Sequence, residues 1–592
     1  MPKKALLALG TALVLAVAAA YLPALRAGFV WNDDTYVTDN PTLDGLGGLE
    51  LIWTDSKANE QYYPMVFTSY WVEKRLWGLA PLGYHLVNVL LHAANALLLW
   101  ALLVRLGLPG AGWAAALFAL HPVCVESVAW VTERKNTLSL FLSLLAMLVY
   151  LASRDSREKE EKTGGFLGKG KRQRRGVPRT HTAGSEPARR PLLSFIGILL
   201  FVLALFAKTT AVVVPAVLLV LVWWKRGEIR GKDVGPLVPW FAAGIGLAAH
   251  TAWLERTVVR AAGSDWSLGV ADRFVLAGQV LLFYSKKIFL PHDLAFFYER
   301  WTVDARALLQ WLPALVAVLA LFLAWRLRER LGRGPLAALL LFGGVLFPAL
   351  GFFNVYAMRY SWVADHFAYQ AVAVAAAAIG CGAAALLQKA PAGARAAAAV
   401  TTCGILVLFG VLTSRQARVY EGEETLWKDT LSKNPSCFSC ETNYGFWLVN
   451  AGRTPEAVGH FEKSLALRPD NVPALLNLGR IAEQRGSLGE AAARLREAYR
   501  LEPADAAVLV NLATVEVKLG HPDAAVPLYE QALGLGVAQA HIAQNGLGVA
   551  LMKQGKVAEA AGHFREALRL KPDYEFARAN LDRALAALGA PE

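Results

Sequence analysis

The run ALLALGTALVLAVAAAYLPAL (residues 5–25) is followed three residues later by FVWNDDTYVTDNP (residues 29–41). Set behind Lys3 and Lys4, the run has the length needed to cross ~30 Å of hydrocarbon as a helix. How it is read decides the fold. AVAAA also supplies the small residues of a signal-peptide cut site. A large acidic loop and another apolar run come next, and they fit an uncut membrane anchor as well.

The rest of the chain divides into two regimes. Its 592 residues are 55% hydrophobic, with a mean hydropathy of +0.36 and 18 Trp. That is too apolar for a soluble enzyme, and the end is too charged for a pure membrane bundle. Eleven apolar runs fall at about 5–25, 82–105, 110–126, 136–152, 191–207, 209–224, 236–254, 306–326, 336–353, 368–388 and 396–413. After about residue 415 they stop. The formal charge of +13 sits largely in short loops, as the positive-inside rule expects, and does not call for nucleic acid. The basic stretch 154–190 reads as a disordered cytoplasmic linker, with WWKRGEIRGK (223–232) and WRLRERLGR (325–333) on the same side. This count puts the N-terminus in the cytoplasm and the loops 26–81, 127–135, 255–305 and 354–367 outside, with everything after 413. Residues 273–290 are apolar enough to span, but a crossing there would turn the basic loop at 325–333 outward. They are therefore expected to form a re-entrant or interfacial helix.

The tail is periodic. Pro435, Pro469 and Pro503 lie 34 residues apart, and Pro572 is two further periods on with one residue to spare. A small residue, an Ala and a large apolar residue recur at fixed offsets: Gly445, Ala457, Phe461; Gly479, Ala491, Leu495; Ala513, Ala525, Tyr529; Gly548, Ala560, Phe564. The pattern resembles the tetratricopeptide repeat, a helix pair that stacks into a solenoid and ordinarily holds a peptide or partner on its concave face. A repeat that only stabilises an oligomer is the plainer alternative. The expected organisation is all-α: a membrane domain over 1–413, a connector over 414–431 and a repeat domain over 432–592.

Asp33 and Asp34 come just beyond the first run, at the membrane surface, where a charge avoids most of the burial cost. Taken alone, the doublet reads more simply as a helix or turn cap. The position also suits a substrate whose phosphate is held at the headgroup layer by a long lipid tail. Glycosyl transfer from a polyprenyl-phosphate sugar is such a reaction, with one carboxylate as base and the other positioning.

FVWNDDTYVTDNP, YHLVNVLLHAANALLLW (84–100), HPVCVESVAWVTERKNTLS (121–139) and FFNVYAMRYSWVADHFAYQ (352–370) together resemble the membrane core of bacterial relatives of the transmembrane and tetratricopeptide-repeat O-mannosyltransferases. That resemblance covers nearly the whole chain. It implies a GT-C glycosyltransferase fold of about eleven spans, with the catalytic acid in the first outer loop at Asp33 and Asp34 beside it. Some relatives carry a longer acidic run where this chain has Asn32 and Thr35, so either acid could serve as the base. The resemblance is compatible with chemistry that needs no metal, while some other branches use a divalent ion.

Cations for a leaving lipid phosphate are sought in the outer loops. Arg359, Arg134 and Lys135 are the candidates, since Arg matches phosphate in a bidentate manner. The plainer alternatives are pairs of Arg134 with Glu133 or Glu126, and of Arg359 with Asp365. His366, with Asp365 and Glu126, is a candidate for donor or acceptor contact. His85 and His92 are too far apart to share an ion without other ligands. Cys437 and Cys440 lack a second CxxC to complete a zinc site, leaving either an oxidised pair or packing thiols. No structural metal and no cofactor are expected.

Two functions from different classes follow. One is a multi-pass enzyme of the bacterial inner membrane that moves mannose or a similar hexose from a polyprenyl phosphate to a Ser or Thr hydroxyl, with inversion. The acceptor is an exported protein recruited by extracytoplasmic repeats. The other is a non-catalytic membrane scaffold whose repeats assemble an envelope complex.

Overall fold

The computed structural model describes residues 3–168, 186–259, 263, 266–537 and 539–589. Among the described residues every regular element is helical. The chain forms two compact units, Met1–Asn434 and Pro435–Glu592.

In the first unit eight helices are long and apolar enough to cross a membrane: Lys3–Ala20, Pro81–Arg105, Val131–Arg154, Thr209–Arg226, Gly231–Thr257, Leu308–Arg326, Asp365–Leu387 and Ala392–Val419. A helix is what such segments must form, because hydrocarbon offers no partner to a backbone N–H or C=O. Ala111–Ala119 and Pro122–Ala129 make a ninth if the pair is one span bent by 54°. The bend falls at Pro122, which has no N–H to continue the ladder. Pro191–Ala207 and Gly334–Ala349 are apolar but shorter. Length and apolarity therefore support eight or nine crossings among the described residues, not the expected eleven. Of the expected linker 154–190, the helix Arg134–Gly168 covers the start and Glu186–Ala207 the end. The stretch 169–185 lies outside the described residues.

The loops of this unit gather at two ends. At one, Trp31 packs against Trp130 (5.6 Å between ring centres), Phe296 (5.3 Å) and Trp427 (6.2 Å). At the other, Lys225 Nζ donates to Leu106 O, and Arg154 and Arg226 both pair with Asp233. The helix Val270–Phe289 is tied to the first end by both its termini. Arg273 donates to Gly351 O (2.6 Å) and Asn354 Oδ1 (2.9 Å), while Ile288 O lies 2.9 Å from His121 Nε2. Val270–Phe289 is not among the eight helices named above, and these contacts fit the re-entrant or interfacial helix expected over 273–290. It lies against Leu312–Arg326, where a Cβ on Gly278 would come 2.4 Å from the Ala314 backbone nitrogen.

The second unit is four helix pairs and a closing helix: Phe438–Asn450 with Thr454–Leu467, Val472–Gln484 with Leu488–Leu501, Ala506–Leu519 with Pro522–Gly534, Ala540–Lys553 with Val557–Leu570, then Glu575–Leu588. The recurrent glycines are contact points. A Cβ would meet Phe461 at 2.8 Å from Gly445, Leu495 at 2.7 Å from Gly479 and Phe564 at 2.5 Å from Gly548. Cys437 and Cys440 are joined as a disulfide at the start of the first pair.

Gly479→Val should destabilise the repeats by about 1–3 kcal/mol, the range for an overpacked contact. Gly489 has nothing within 4 Å of its Cβ position, so Gly489→Ala should instead add roughly 0.5–1 kcal/mol. Urea unfolding of residues 435–592 measures both.

Candidate active site

The turn after the first helix is set by distant partners. Gly28 N–H donates to Glu421 O (3.1 Å) and Trp31 N–H to Glu423 Oε1 (3.2 Å). Trp31 sits in the left-handed region at φ 45°, an uncommon conformation for a bulky side chain that persists only where the surroundings impose it. Its indole is held by the aromatic contacts described above. One π-helical turn follows over Asp34–Thr38, closed by Asp39 N–H on Asp34 O (2.8 Å).

This geometry separates the two acids. Asp33 is fully buried: Oδ1 accepts from Thr132 N–H (2.8 Å) and Thr132 Oγ1 (2.7 Å), and Oδ2 accepts from Val30 N–H (2.9 Å). Burial pushes its pKa up to about 7 although these hydrogen bonds pull it down. The expectation that both carboxylates lie at the surface therefore fails for Asp33. Asp34 is exposed, its Oδ1 accepting from Thr35 N–H at 2.6 Å. Partial burial raises its pKa, as does the charge of Asp39.

Asp34 has charged neighbours beyond its own turn. Partial burial and then the charge of Asp34 raise the Glu60 carboxyl, while Lys135 lowers it, which brings these three groups into one field. Lys135 Nζ lies 5.4 Å from the Tyr36 ring centre and 5.9 Å from that of Tyr63, and it pairs with Glu133 at 2.8 Å. Tyr36 OH donates to Gln61 Oε1 at 2.8 Å.

Behind Lys135 is a buried charge cluster. Glu133 also faces Lys208 Nζ (3.6 Å) and His366 Nε2 (3.7 Å). Lys208 donates to Asn136 Oδ1 (2.8 Å), and Asn136 Nδ2 donates to Glu133 Oε2 (2.6 Å). On its other side His366 is fixed by Glu126, which accepts from the His366 backbone N–H (2.8 Å) and lies 3.0 Å from Nδ1. Asp365 is buried and accepts from Tyr298 OH at 2.7 Å. Arg359 is half-buried in the turn Tyr356–Arg359, and the next residue, Tyr360, packs 5.5 Å from Phe297. Phe297 in turn contacts Trp31 at 5.4 Å.

Arg134 is placed elsewhere. It is fully buried and pairs with Glu73, not with Glu133 or Glu126. Its remaining donors reach Asn88 Oδ1 (2.7 Å), Tyr84 O (2.7 Å) and Ser69 Oγ (3.2 Å), and Tyr70 lies against the guanidinium. Four of the five guanidinium N–H donors are thus engaged inside the protein, and the group is fully buried. His85 and His92 serve the interior: His85 Nε2 lies 3.2 Å from Gly28 O, and His92 bridges Tyr369 OH (2.8 Å) and Ala119 O (3.0 Å). Lys208, Glu133 and Glu60 are the additions to the expected set. A single Lys between the apolar runs 191–207 and 209–224 was the signal for the first, since an ionisable residue at such a depth is retained for a partner or a function.

Asp33→Asn should lower stability by about 1–3 kcal/mol, because one of the three donors loses its acceptor. Asp34→Asn should leave the melting temperature nearly unchanged. The folded pKa of Asp33, about 7, lies above the unfolded value of about 3.9, so the folded state holds this proton more tightly. Its contribution is complete below the unfolded value and declines until pH passes the folded value. Thermal melts in detergent across that window should show a decline in the parent and in Asp34→Asn that is smaller in Asp33→Asn.

The tetratricopeptide repeat family matches residues 448–506 and 510–575. Protein O-mannosyl-transferase Tmtc1 of Drosophila melanogaster is 36% identical over 142 residues, 22% of this chain and 16% of that protein. Protein O-mannosyl-transferase F38B6.6 of Caenorhabditis elegans is 30% identical over 149 residues, 23% of this chain and 22% of that protein. Human protein O-mannosyl-transferase TMTC1 is 23% identical over 547 residues, 80% of this chain and 57% of that protein. The chain thus spans less than two thirds of each of these relatives. Among solved structures, YrrB, "a TPR protein with an unusual peptide-binding site", is 22% identical with a TM-score of 0.26, over 28% of this chain and 85% of that one. The helical membrane bundle, the repeats and these similarities together make the chain a distant relative of the proteins named protein O-mannosyl-transferase TMTC.

Proposed function

We propose that the chain is a membrane glycosyltransferase that moves mannose or a similar hexose from a polyprenyl phosphate to a Ser or Thr hydroxyl of an exported protein. The observation that carries this reading is the split acid pair: one carboxylate buried and fixed, its neighbour exposed and within the field of Lys135 and Glu60. Asp34 takes the proton of the acceptor hydroxyl as that oxygen attacks the anomeric carbon. The bond from that carbon to the phosphate oxygen breaks on the opposite face, and the polyprenyl phosphate leaves with the bonding pair, so the configuration inverts. Asp33 touches no substrate and positions Asp34 through the turn it holds. Lys135, with Lys208 and Arg359, meets the phosphate charge and His366 contacts donor or acceptor; Glu133 and Glu126 orient Lys135, Lys208 and His366, and Asp365 orients Tyr298. The scheme draws on no cofactor. The repeats bind the acceptor protein.

The acids, the cluster and the repeats are assigned to the outer side of a bacterial inner membrane, with the N-terminus and the basic loops inside. A maleimide that cannot cross the membrane should label a cysteine placed on an exposed repeat position in spheroplasts and miss one placed between residues 169 and 185. The opposite pattern would refute the orientation.

Asp34→Asn should lower turnover by about 10²–10⁴-fold, the usual effect of losing a base, with donor affinity nearly unchanged. A monodisperse Asp34→Asn protein that transfers sugar at the parental rate would return the doublet to a turn cap and favour the scaffold. Removing residues 435–592 should spare transfer to a short hydroxyl peptide and depress transfer to the full-length acceptor.

A further inference from the structure

A second site lies at the end of the bundle away from Asp34. A cavity of about 290 Å³ opens among the ends of the helices Val131–Arg154, Pro191–Ala207 and Gly231–Thr257. Its floor is Tyr150 and Trp240, both buried. Trp240 is clamped between Phe201, stacked at 4.8 Å, and the edge of Tyr150 at 5.7 Å. Phe195 and Ile198 form an apolar wall, while Arg154 and Ser194 supply the polar rim. Phe195 is 62% exposed and lies on the same outward surface as Leu192 and Leu199, which are 56% and 45% exposed. This exposed apolar surface belongs to a helix packed against two candidate spans, Val131–Arg154 and Gly231–Thr257, and a lipid chain can cover it.

The rim is electropositive. Asp233 is fully buried between Arg154 and Arg226, the latter at 3.0 Å, and its Oδ2 accepts from Arg230 N–H at 2.9 Å. One carboxylate thus serves two guanidiniums. Arg154 is the charged residue of the lining, and Arg226 joins it through the shared Asp233, so two guanidiniums face one carboxylate beside the cavity. Basic pockets between membrane helices recruit anionic lipid headgroups.

We infer that this cavity binds one anionic glycerophospholipid, with an acyl chain against Phe195, Ile198 and Trp240 and the phosphate at Arg154 and Arg226. A zwitterionic lipid would bring a quaternary ammonium to the same guanidiniums and is disfavoured. The site is independent of the sugar-transfer reading.

The test is native mass spectrometry and thermal melting of the full-length protein in detergent, titrated with dioleoylphosphatidylglycerol or dioleoylphosphatidylcholine. One phosphatidylglycerol per chain should be retained and should raise the melting temperature, with phosphatidylcholine weaker by about fivefold. Glycerol phosphate, which has no chains, should not compete. Ser194→Trp, which fills the mouth from an exposed position, should abolish retention. Arg226→Gln leaves the Arg154–Asp233 pair in place and should bring the two lipids close to parity. Equal retention of both lipids by the parent, competition by glycerol phosphate, or undiminished selectivity in Arg226→Gln would overturn the site. If Ser194→Trp does not fold, the Arg226→Gln comparison decides.

Discussion

The three hydrogen bonds to the Asp33 carboxylate hold the membrane unit's functional end together. They tie Val30, at the start of the strained turn, to Thr132, at the head of another helix. With that carboxylate anchored and Trp31 in the left-handed region, the next side chain is turned outward. A buried ionised group is costly unless its lone pairs are met, and here donors come from two separate segments. The same anchor that buries Asp33 leaves Asp34 exposed.

Around this anchor the unit buries several charged side chains. Arg134 with Glu73 is one buried pair, and Glu133 with Lys135, Lys208 and His366 is a larger group. Replacing such pairs with apolar residues of similar volume often leaves a protein as stable or more so. Their retention fits two different uses. Arg134 is fully buried among Asn88, Tyr84, Ser69 and Glu73 and acts as a cross-link between helices. The Glu133 group is anchored on several helices and reaches the Tyr36 ring through Lys135.

Much of this organisation was legible in the sequence, and what escaped did so for physical reasons. The repeats were legible because a 34-residue period fixes which small residue meets which large one, as Gly479 and Leu495 do. The apolar runs were legible as helices, but Pro191–Ala207 and Gly334–Ala349 are too short for length alone to decide whether they span. Which acid faces outward was not legible, because it follows from the dihedral of Trp31 and from a partner 99 residues away. Arg134 was misjudged for a related reason. Its neighbours in sequence include Glu133, whereas its partner Glu73 is 61 residues distant.

The backbone partners of the first turn come late in the chain. Trp31 N–H finds its acceptor on Glu423, 392 residues on, and Gly28 finds Glu421. During synthesis the turn carrying Asp34 exists as chain long before those partners emerge. Contacts of such sequence separation close last, since the loop between them must be ordered first. The turn's two late backbone contacts therefore form only once the segment after the helix Ala392–Val419 is in place, whereas the Asp33 bonds to Val30 and Thr132 need only the first third of the chain.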